Sequence, residues 1–166
     1  MSCNIAVNDS INIRELLKED IEFLRILRNK DVNRKNFIYQ KEISSEDQQL
    51  WFESYSKNTQ DHMYSVVRKS DDSLIGFAAL YNINEVEAEF GRLIVDKEKY
   101  NQPGLGKLIL RHLIDISKVQ FHLSKLKLDV FADNISALKI YEQCGFSEYE
   151  RTSLDNRVLI RMELYL

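Results

Sequence analysis

The sequence predicts an α/β fold of the α+β kind, in the order strand, two helices, three strands, helix, strand, helix, two strands. Three observations carry this. The stretch LIVDKEKYNQPGLGKLIL, Leu93 to Leu110, passes from a strand-like run through a tight turn into apolar residues at helical spacing, Leu105, Leu108, Ile109, Leu113 and Ile116. Leu126, Leu128 and Val130 alternate with Lys125, Lys127 and Asp129, the period of a strand with one buried face. NISALKIYEQCGF, Asn134 to Phe146, then reads as a short helix capped by Asn134, with Ala137 and Tyr141 on one face and Gly145 just past its end.

The remaining elements follow in chain order. A short strand is expected near Ser10 to Ile13, then a helix from about Leu17 to Arg28 whose apolar positions are Leu17, Ile21, Leu24 and either Ile26 or Leu27. A second helix starts at Ser44-Ser45-Glu46-Asp47, where Ser44 and Asp47 fit a capping arrangement ahead of Leu50, Trp51, Phe52 and Tyr55. The polar stretch from Lys57 to Asp61 suits a loop. Strands are expected at about Met63 to Arg68, Leu74 to Tyr81 and Val86 to Val95, with Ser70, Asp71, Asp72 and Ser73 as turn chemistry. At the end of the chain, Ser147 to Arg151 and Arg157 to Leu164 alternate as strands around a turn at Asp155-Asn156.

Composition bounds the classes of function. A chain of 166 residues with 44% hydrophobic and 30% charged residues is one globular domain's worth, residues 1–166, with no internal repeat and no low-complexity segment. Its net charge is −3 and its basic residues are interspersed with acidic ones, which argues against a nucleic-acid partner. No apolar run approaches the ~18 residues of a membrane span and no basic-then-apolar leader opens the chain, so a cytoplasmic location and no membrane partner are expected. Cys3 and Cys144 are far apart and lack metal spacing; both read as free thiols, and no metal site is expected.

The turn between Val95 and Leu105 holds the only proline, Pro103, and two of the five glycines, Gly104 and Gly106. Glycine admits a ligand close to the backbone, and a helix opening there aims unpaired N–H groups at an anion, which makes a pyrophosphate cradle. A Rossmann reading needs G-x-G-x-x-G, and a P-loop needs Ser or Thr after Lys107, where Leu108 stands. Taken alone, strand, G-x-G turn and helix are equally an ordinary connection.

The two segments together, in this order, resemble the Gcn5-related N-acetyltransferase (GNAT) superfamily. That superfamily builds its acetyl-CoA site from a loop of pattern Gln/Arg-x-x-Gly-x-Gly/Ala and a later helix of pattern Asn-x-x-Ala-x-x-x-Tyr, and the likeness covers roughly the last half of the chain. One departure is Asn101 at the loop's first position, with Gln102 shifted one place along. The resemblance implies a central mixed, mostly antiparallel sheet of about seven strands flanked by about four helices. It implies acetyl-CoA as acyl donor, with the pantetheine arm paired to the main chain at Leu93, Ile94 and Val95. The pyrophosphate would then be held by Asn101, Gln102, Pro103, Gly104, Leu105, Gly106 and Lys107, and Asn134, Ala137 and Tyr141 would lie on the cofactor side. It puts Tyr141 near the sulfur as general acid, and it suggests a homodimer.

Acetyl transfer needs a neutral amine, stabilisation of the oxyanion and a proton for the thiolate. Strand alternation places Glu87 and Glu89 on one face and Ala88 and Phe90 on the other. Glu89 is the candidate base, although a solvated strand face would account for either carboxylate. His62, His112 and His122 lie in no matched motif and read as structural.

The N-terminal half resembles acetyltransferases of nucleotide-linked amino sugars, on the path to nonulosonic acids such as pseudaminic acid, and those of ribosomal-protein N-termini. The former implies a UDP-linked amino sugar as the small-molecule amine substrate, with Arg25 and Arg28 toward phosphate and Trp51 or Phe52 stacked on a sugar or base. Ordinary helix packing accounts for these four residues as well. An N-terminal peptide or a small amine is the alternative acceptor. A catalytically silent acyl-CoA-binding module is the alternative of another class, against which stands the presence of Tyr141.

Overall fold

The computed structural model of the chain describes the backbone of residues 5–8 and residues 10–166; Cys3 lies outside the described residues. The strands are β1 (Ile5–Asn8), β2 (Ile11–Glu15), β3 (His62–Arg68), β4 (Leu74–Tyr81), β5 (Glu87–Val95), β6 (Lys125–Phe131), β7 (Ser147–Leu154) and β8 (Arg157–Tyr165). The helices are α1 (Ile21–Asn29), α2 (Asp31–Arg34), α3 (Ser45–Tyr55), α4 (Leu105–Val119) and α5 (Ile135–Gln143). All eight strands form one sheet in the order β1-β2-β3-β4-β5-β6-β8-β7. Strand β1 and the single-turn α2 are additions to the elements read from the sequence.

Every neighbouring pair in the sheet is antiparallel except β5 and β6. A parallel pair needs a crossover, and α4 supplies it. Its buried stripe, Leu105, Ile109, Leu110, Leu113 and Ile116, packs on a sheet face made by Ile13, Val66, Leu80, Ala88, Phe90, Leu128 and Val130. The opposite face carries Met63, Phe77, Ala79 and Ile94 and is covered by Ile21, Leu24 and Leu27 of α1, with Trp51, Phe52 and Tyr55 of α3 packed beside them. Leu17, expected to face inward, is exposed and precedes α1, and Ile26 is exposed too, so the inward positions of α1 are Ile21, Leu24 and Leu27. Central strand β4, LIGFAALY, is buried on both faces, as its nearly unbroken apolar run requires.

Local chemistry sets the element ends. Ser44 Oγ accepts from the Asp47 amide at 3.1 Å and caps α3. Asp155 and Asn156 take φ of +47° and +60°, the left-handed pair that closes a two-residue hairpin between β7 and β8. The helix expected from Leu17 divides into a 3-10 turn at Lys18–Asp20 and then α1, because Asp20 is drawn into the sheet.

The Asp20 carboxylate is 2% exposed and accepts from Arg14 Nη1 at 2.5 Å and Nη2 at 3.0 Å, the Leu17 amide at 2.9 Å and Ser65 Oγ at 2.8 Å. Burial pushes its pKa up, but the Arg14, Leu17 and Ser65 hydrogen bonds outweigh it and hold the carboxyl below its ordinary value. These bonds anchor the start of α1 to β2 and β3. A carboxylate with a depressed folded pKa contributes stability that is present above its unfolded pKa of about 4 and lost as pH falls through the folded value. Asp20→Asn is expected to destabilise by about 3 kcal/mol at pH 7, since it leaves Arg14 without its counter-charge, and to flatten the loss of stability below about pH 4. Denaturant unfolding of both proteins at pH 3 to 7 measures this; parallel pH profiles would rule it out.

Candidate functional site

Strand β5 pairs with β6 only at Glu87 with Lys125, Ala88 with Leu126 and Glu89 with Lys127, although β5 continues to Val95 and β6 to Phe131. Beyond Glu89 the two strands part and leave a gap through the sheet. At the gap β5 also bulges: Phe77 faces Ile94 and Ala79 faces Gly91, so two steps along β4 oppose three along β5. The extra residue is absorbed at Arg92, whose φ is +53°. Its guanidinium is held by Asp61, at 2.8 and 3.1 Å, and lies 4.6 Å over the Tyr81 ring.

Leu93, Ile94 and Val95 therefore lie on a stretch of strand with no β6 ladder. At the head of the gap is a cleft of about 650 Å³ lined by Leu27, Val95, Lys97, Asn134, Ser136 and Arg157. The loop beyond Val95 is anchored by the Asp96 amide on the Ile75 carbonyl, at 2.7 Å. Asn101, Gln102, Pro103 and Gly104 are exposed along it, and Gln102 accepts from the Tyr100 hydroxyl at 2.8 Å.

Gly104 caps α4 with φ of +86°, the left-handed region where a Cβ is strained. The amides of Leu105, Gly106 and Lys107, in the first turn of α4, have no carbonyl a turn behind them and point out of the helix end. A Cβ at Gly106 would lie 3.4 Å from Ile140 Cδ1 and 3.7 Å from Leu93 Cδ2, which shows how closely the helix start sits on β5 and α5. Lys107 Nζ reaches Gln143 Oε1 at 3.2 Å.

Asn134 caps α5 through the Ala137 amide, at 3.4 Å, and Tyr141 points from the same helix into the α4 side of the sheet. Its ring is 8% exposed and stands edge-on to Phe90, with ring centres 6.1 Å apart. Burial pushes the phenol up to about 12, so it is protonated at neutral pH.

The opposite face of the gap is acidic. Glu87 is committed to Lys127 and Lys125, at 2.8 and 2.9 Å, and these bonds lower its pKa. Glu89 accepts from Asn82 Nδ2 at 3.1 Å. Asp129, the next residue of that face along β6, has its pKa raised by burial and by the neighbouring charges of Glu89 and Glu150, against Arg161 at 3.6 Å. Asp129 was not singled out from the sequence. Its alternation with Lys125 and Lys127 gave the face, but only the pairing of β6 with β5 puts that face beside Glu89.

The four residues of the N-terminal half are held by contacts of their own. Arg25 forks onto Glu22, at 2.6 and 2.9 Å, and reaches the Ile43 carbonyl at 3.2 Å. Arg28 donates to the Tyr39 carbonyl and stacks 3.7 Å above the Phe37 ring; burial, with Arg34 nearby, lowers its pKa to about 10. Trp51 stacks on Tyr55 at 5.1 Å, and Phe52 lies 5.8 Å from the same ring. His62 lies 3.3 Å from Glu15 and edge-on to Phe121. Cys144 is a free thiol. Among the described residues no group of three or more His, Cys, Asp or Glu is placed to hold a metal ion, and no helix is long and apolar enough to cross a membrane.

An unpaired strand edge leading to a glycine-lined helix N-terminus suits an extended donor with phosphates at one end, and a protonated phenol beside the gap suits its leaving group. That is the architecture of an acyl-group transferase. Residues 26–146 match the model of the acetyltransferase (GNAT) family, so the chain belongs to that family and is an acetyl-CoA-dependent N-acetyltransferase. It is 28% identical to the spermidine N(1)-acetyltransferase of Vibrio cholerae over 86% of this chain and 82% of that one. It is 29% identical to the acetyltransferase PseH of Campylobacter jejuni over 84% of each. With the [ribosomal protein bS18]-alanine N-acetyltransferase of Escherichia coli it shares 30% identity over 59% of this chain and 65% of that one. The crystal structure of the V. cholerae spermidine N-acetyltransferase with CoA and spermine superposes with a TM-score of 0.86, covering 95% of this chain and 96% of that one at 22% identity.

Gly106→Val adds two methyl groups beyond a Cβ that would already touch Ile140 and Leu93. It is expected to weaken CoA binding by about tenfold or more, because the helix start must move off β5. Titration calorimetry with CoA measures this, and an unchanged Kd would show that the first turn of α4 is not part of the cradle.

Proposed function

We propose that the chain moves the acetyl group of acetyl-CoA to the primary amine of a small cationic molecule, by direct attack and in the cytoplasm. The observation that carries this reading is the carboxylate pair Glu89 and Asp129 on the face of the gap opposite Tyr141. In the proposal the pantetheine arm lies along Leu93, Ile94 and Val95, and the pyrophosphate meets the loop from Asn101 to Lys107, Pro103 giving shape and the other residues N–H donors. Asn101 is short, so the backbone and Gln102 carry more of the contact than a long first side chain would. Asn134 and Ala137 flank the arm from α5.

The roles follow from the two environments. The buried phenol of Tyr141 is a protonated acid suited to a departing thiolate. Asp129 takes the amine's proton, made more basic by burial and by Glu89. Both carboxylates also attract a cationic acceptor, consistent with the likeness to a spermidine N(1)-acetyltransferase.

A UDP-linked amino sugar is the second reading. It rests on the likeness to PseH and on Arg28, whose Nη1 is buried without a hydrogen-bond partner among the described residues. Against it stand the internal contacts that already engage Arg25, Trp51 and Phe52. Thiol release from acetyl-CoA with spermidine, simple amines, a UDP-4-amino sugar and amino-terminal peptides separates the readings. Release with polyamines or simple amines supports the first, and release with the nucleotide sugar or the peptides alone overturns it.

Tyr141→Phe is expected to lower kcat by about 10²-fold with CoA binding unchanged. An unchanged kcat would remove Tyr141 from the reaction. Glu89→Gln deletes one of the charges that add to burial in raising the pKa of Asp129, so the acidic limb of the kcat/KM profile is expected to move to lower pH. A limb that stays in place would separate Asp129 from the proton transfer.

A further inference from the structure

The hydroxyl of Tyr81 is a polar group at the gap that the roles above leave unused. Tyr81 ends β4 and pairs across the strands with Glu89, so the two side chains leave the sheet on the same face. Its ring lies across the backbone of Gly91. A Cβ built there would stand 2.8 Å from the Tyr81 hydroxyl oxygen, 3.0 Å from Cε1 and 3.3 Å from Cζ. Gly91 is the first residue of β5's second half to face this way, just past the last β6 pairing. The absence of a side chain at 91 therefore seats a phenol over the strand at the edge of the gap.

Two neighbours fix the ring. The Arg92 guanidinium covers it at 4.6 Å and is itself tied to Asp61, so the bulge and the aromatic ring hold each other. The hydroxyl has no hydrogen-bond partner among the described residues, yet Glu89, Asp129 and, from across the gap, Tyr141 are near enough to act on it electrostatically. A half-buried phenol that shares a sheet face with Glu89, sits over Gly91 and has no protein partner among the described residues is set to bond with a ligand. Burial and the carboxylates raise its pKa, so it stays a phenol and can accept one hydrogen bond while donating another.

We propose that Tyr81 is a catalytic residue that relays the acceptor's proton to the Glu89–Asp129 carboxylates, with Gly91 providing the space that seats it. This rests on the acceptor-side reading given above. As the nucleophile's nitrogen bonds to the thioester carbon, its proton passes to the Tyr81 oxygen while the Tyr81 proton passes through a bridging water to a carboxylate. Collapse of the tetrahedral intermediate breaks the C–S bond, and Tyr141 on the other face protonates the thiolate. The products are the amide and CoA. The proton left on the carboxylate and the one lost by Tyr141 balance through solvent when the products leave.

The test compares wild type, Tyr81→Phe and Gly91→Ala in two reactions, aminolysis with the best acceptor of the panel and basal hydrolysis of acetyl-CoA, in which water is the nucleophile. Tyr81→Phe is expected to lower the rates of both about tenfold or more, with the Kd for CoA and the Tm unchanged. Gly91→Ala displaces the ring and is expected to give the same pattern. Proton inventories in mixed H₂O and D₂O should be curved for wild type, with more than one proton in flight, and linear for Tyr81→Phe. Rates within twofold of wild type in both reactions, or the same inventory in both proteins, would overturn the relay. Failure of the acceptor reading looks different: wild type would use none of the cationic amines, and the hydrolysis data would still decide the role of Tyr81.

Discussion

The parting of β5 from β6 leaves several main-chain groups of β5 without a ladder partner, a condition that folded proteins keep only where something else meets those groups. The neighbouring features make the gap possible. Helix α4 carries the chain from β5 to β6 and packs on one face, so the two strands are held as neighbours at Glu87 to Glu89 while their ends diverge. The bulge at Arg92 turns β5 at the point where pairing stops. Gly104 and Gly106 then start α4 against the free end of the strand. A continuous ladder to Val95 would close the gap.

A gap through a sheet has two sides, and here they differ in chemistry. Tyr141 approaches from the α4 face among Phe90 and Phe146, where burial keeps a phenol protonated. Glu89 and Asp129 belong to the other face, where like charges and burial make a carboxylate a better base. The phenol and the carboxylates are separated by the thickness of the sheet. In the reaction proposed above, environments that push titratable groups apart in this way assign direction, with the leaving group on one side and the nucleophile on the other. The anchor at Asp20 serves the same division, because it fixes α1 over the second face.

Local chemistry carried much of the reading. The Ser44 and Asn134 caps, the Asp155-Asn156 hairpin and the glycine after α5 are short-range matters of side chain and φ. Alternation along β5 and β6 correctly gave the faces of Ala88, Phe90, Leu126 and Leu128. The helix from Leu17 was harder, since its first turn is claimed by a buried carboxylate that bonds to β2 and β3. Ile26 and Leu27 were indistinguishable by spacing alone; packing against Phe77 and Ile94 chose Leu27.

By itself the sequence determined the elements, the strand-turn-helix with its two glycines and the helix carrying Tyr141, because each depends on residues within a few positions of one another. The tertiary structure decided which strand stands beside which, and hence that Asp129 and Tyr81 join Glu89 at the gap. Those three lie on different strands, β6, β4 and β5, and no local signal spans the 47 residues between positions 81 and 129. It also decided that Arg25, Trp51 and Phe52 engage their own neighbours, since helix packing and ligand binding ask for the same residue types. Side-chain type and spacing fix local geometry, whereas the meeting of distant side chains is fixed by strand register and the crossover of α4.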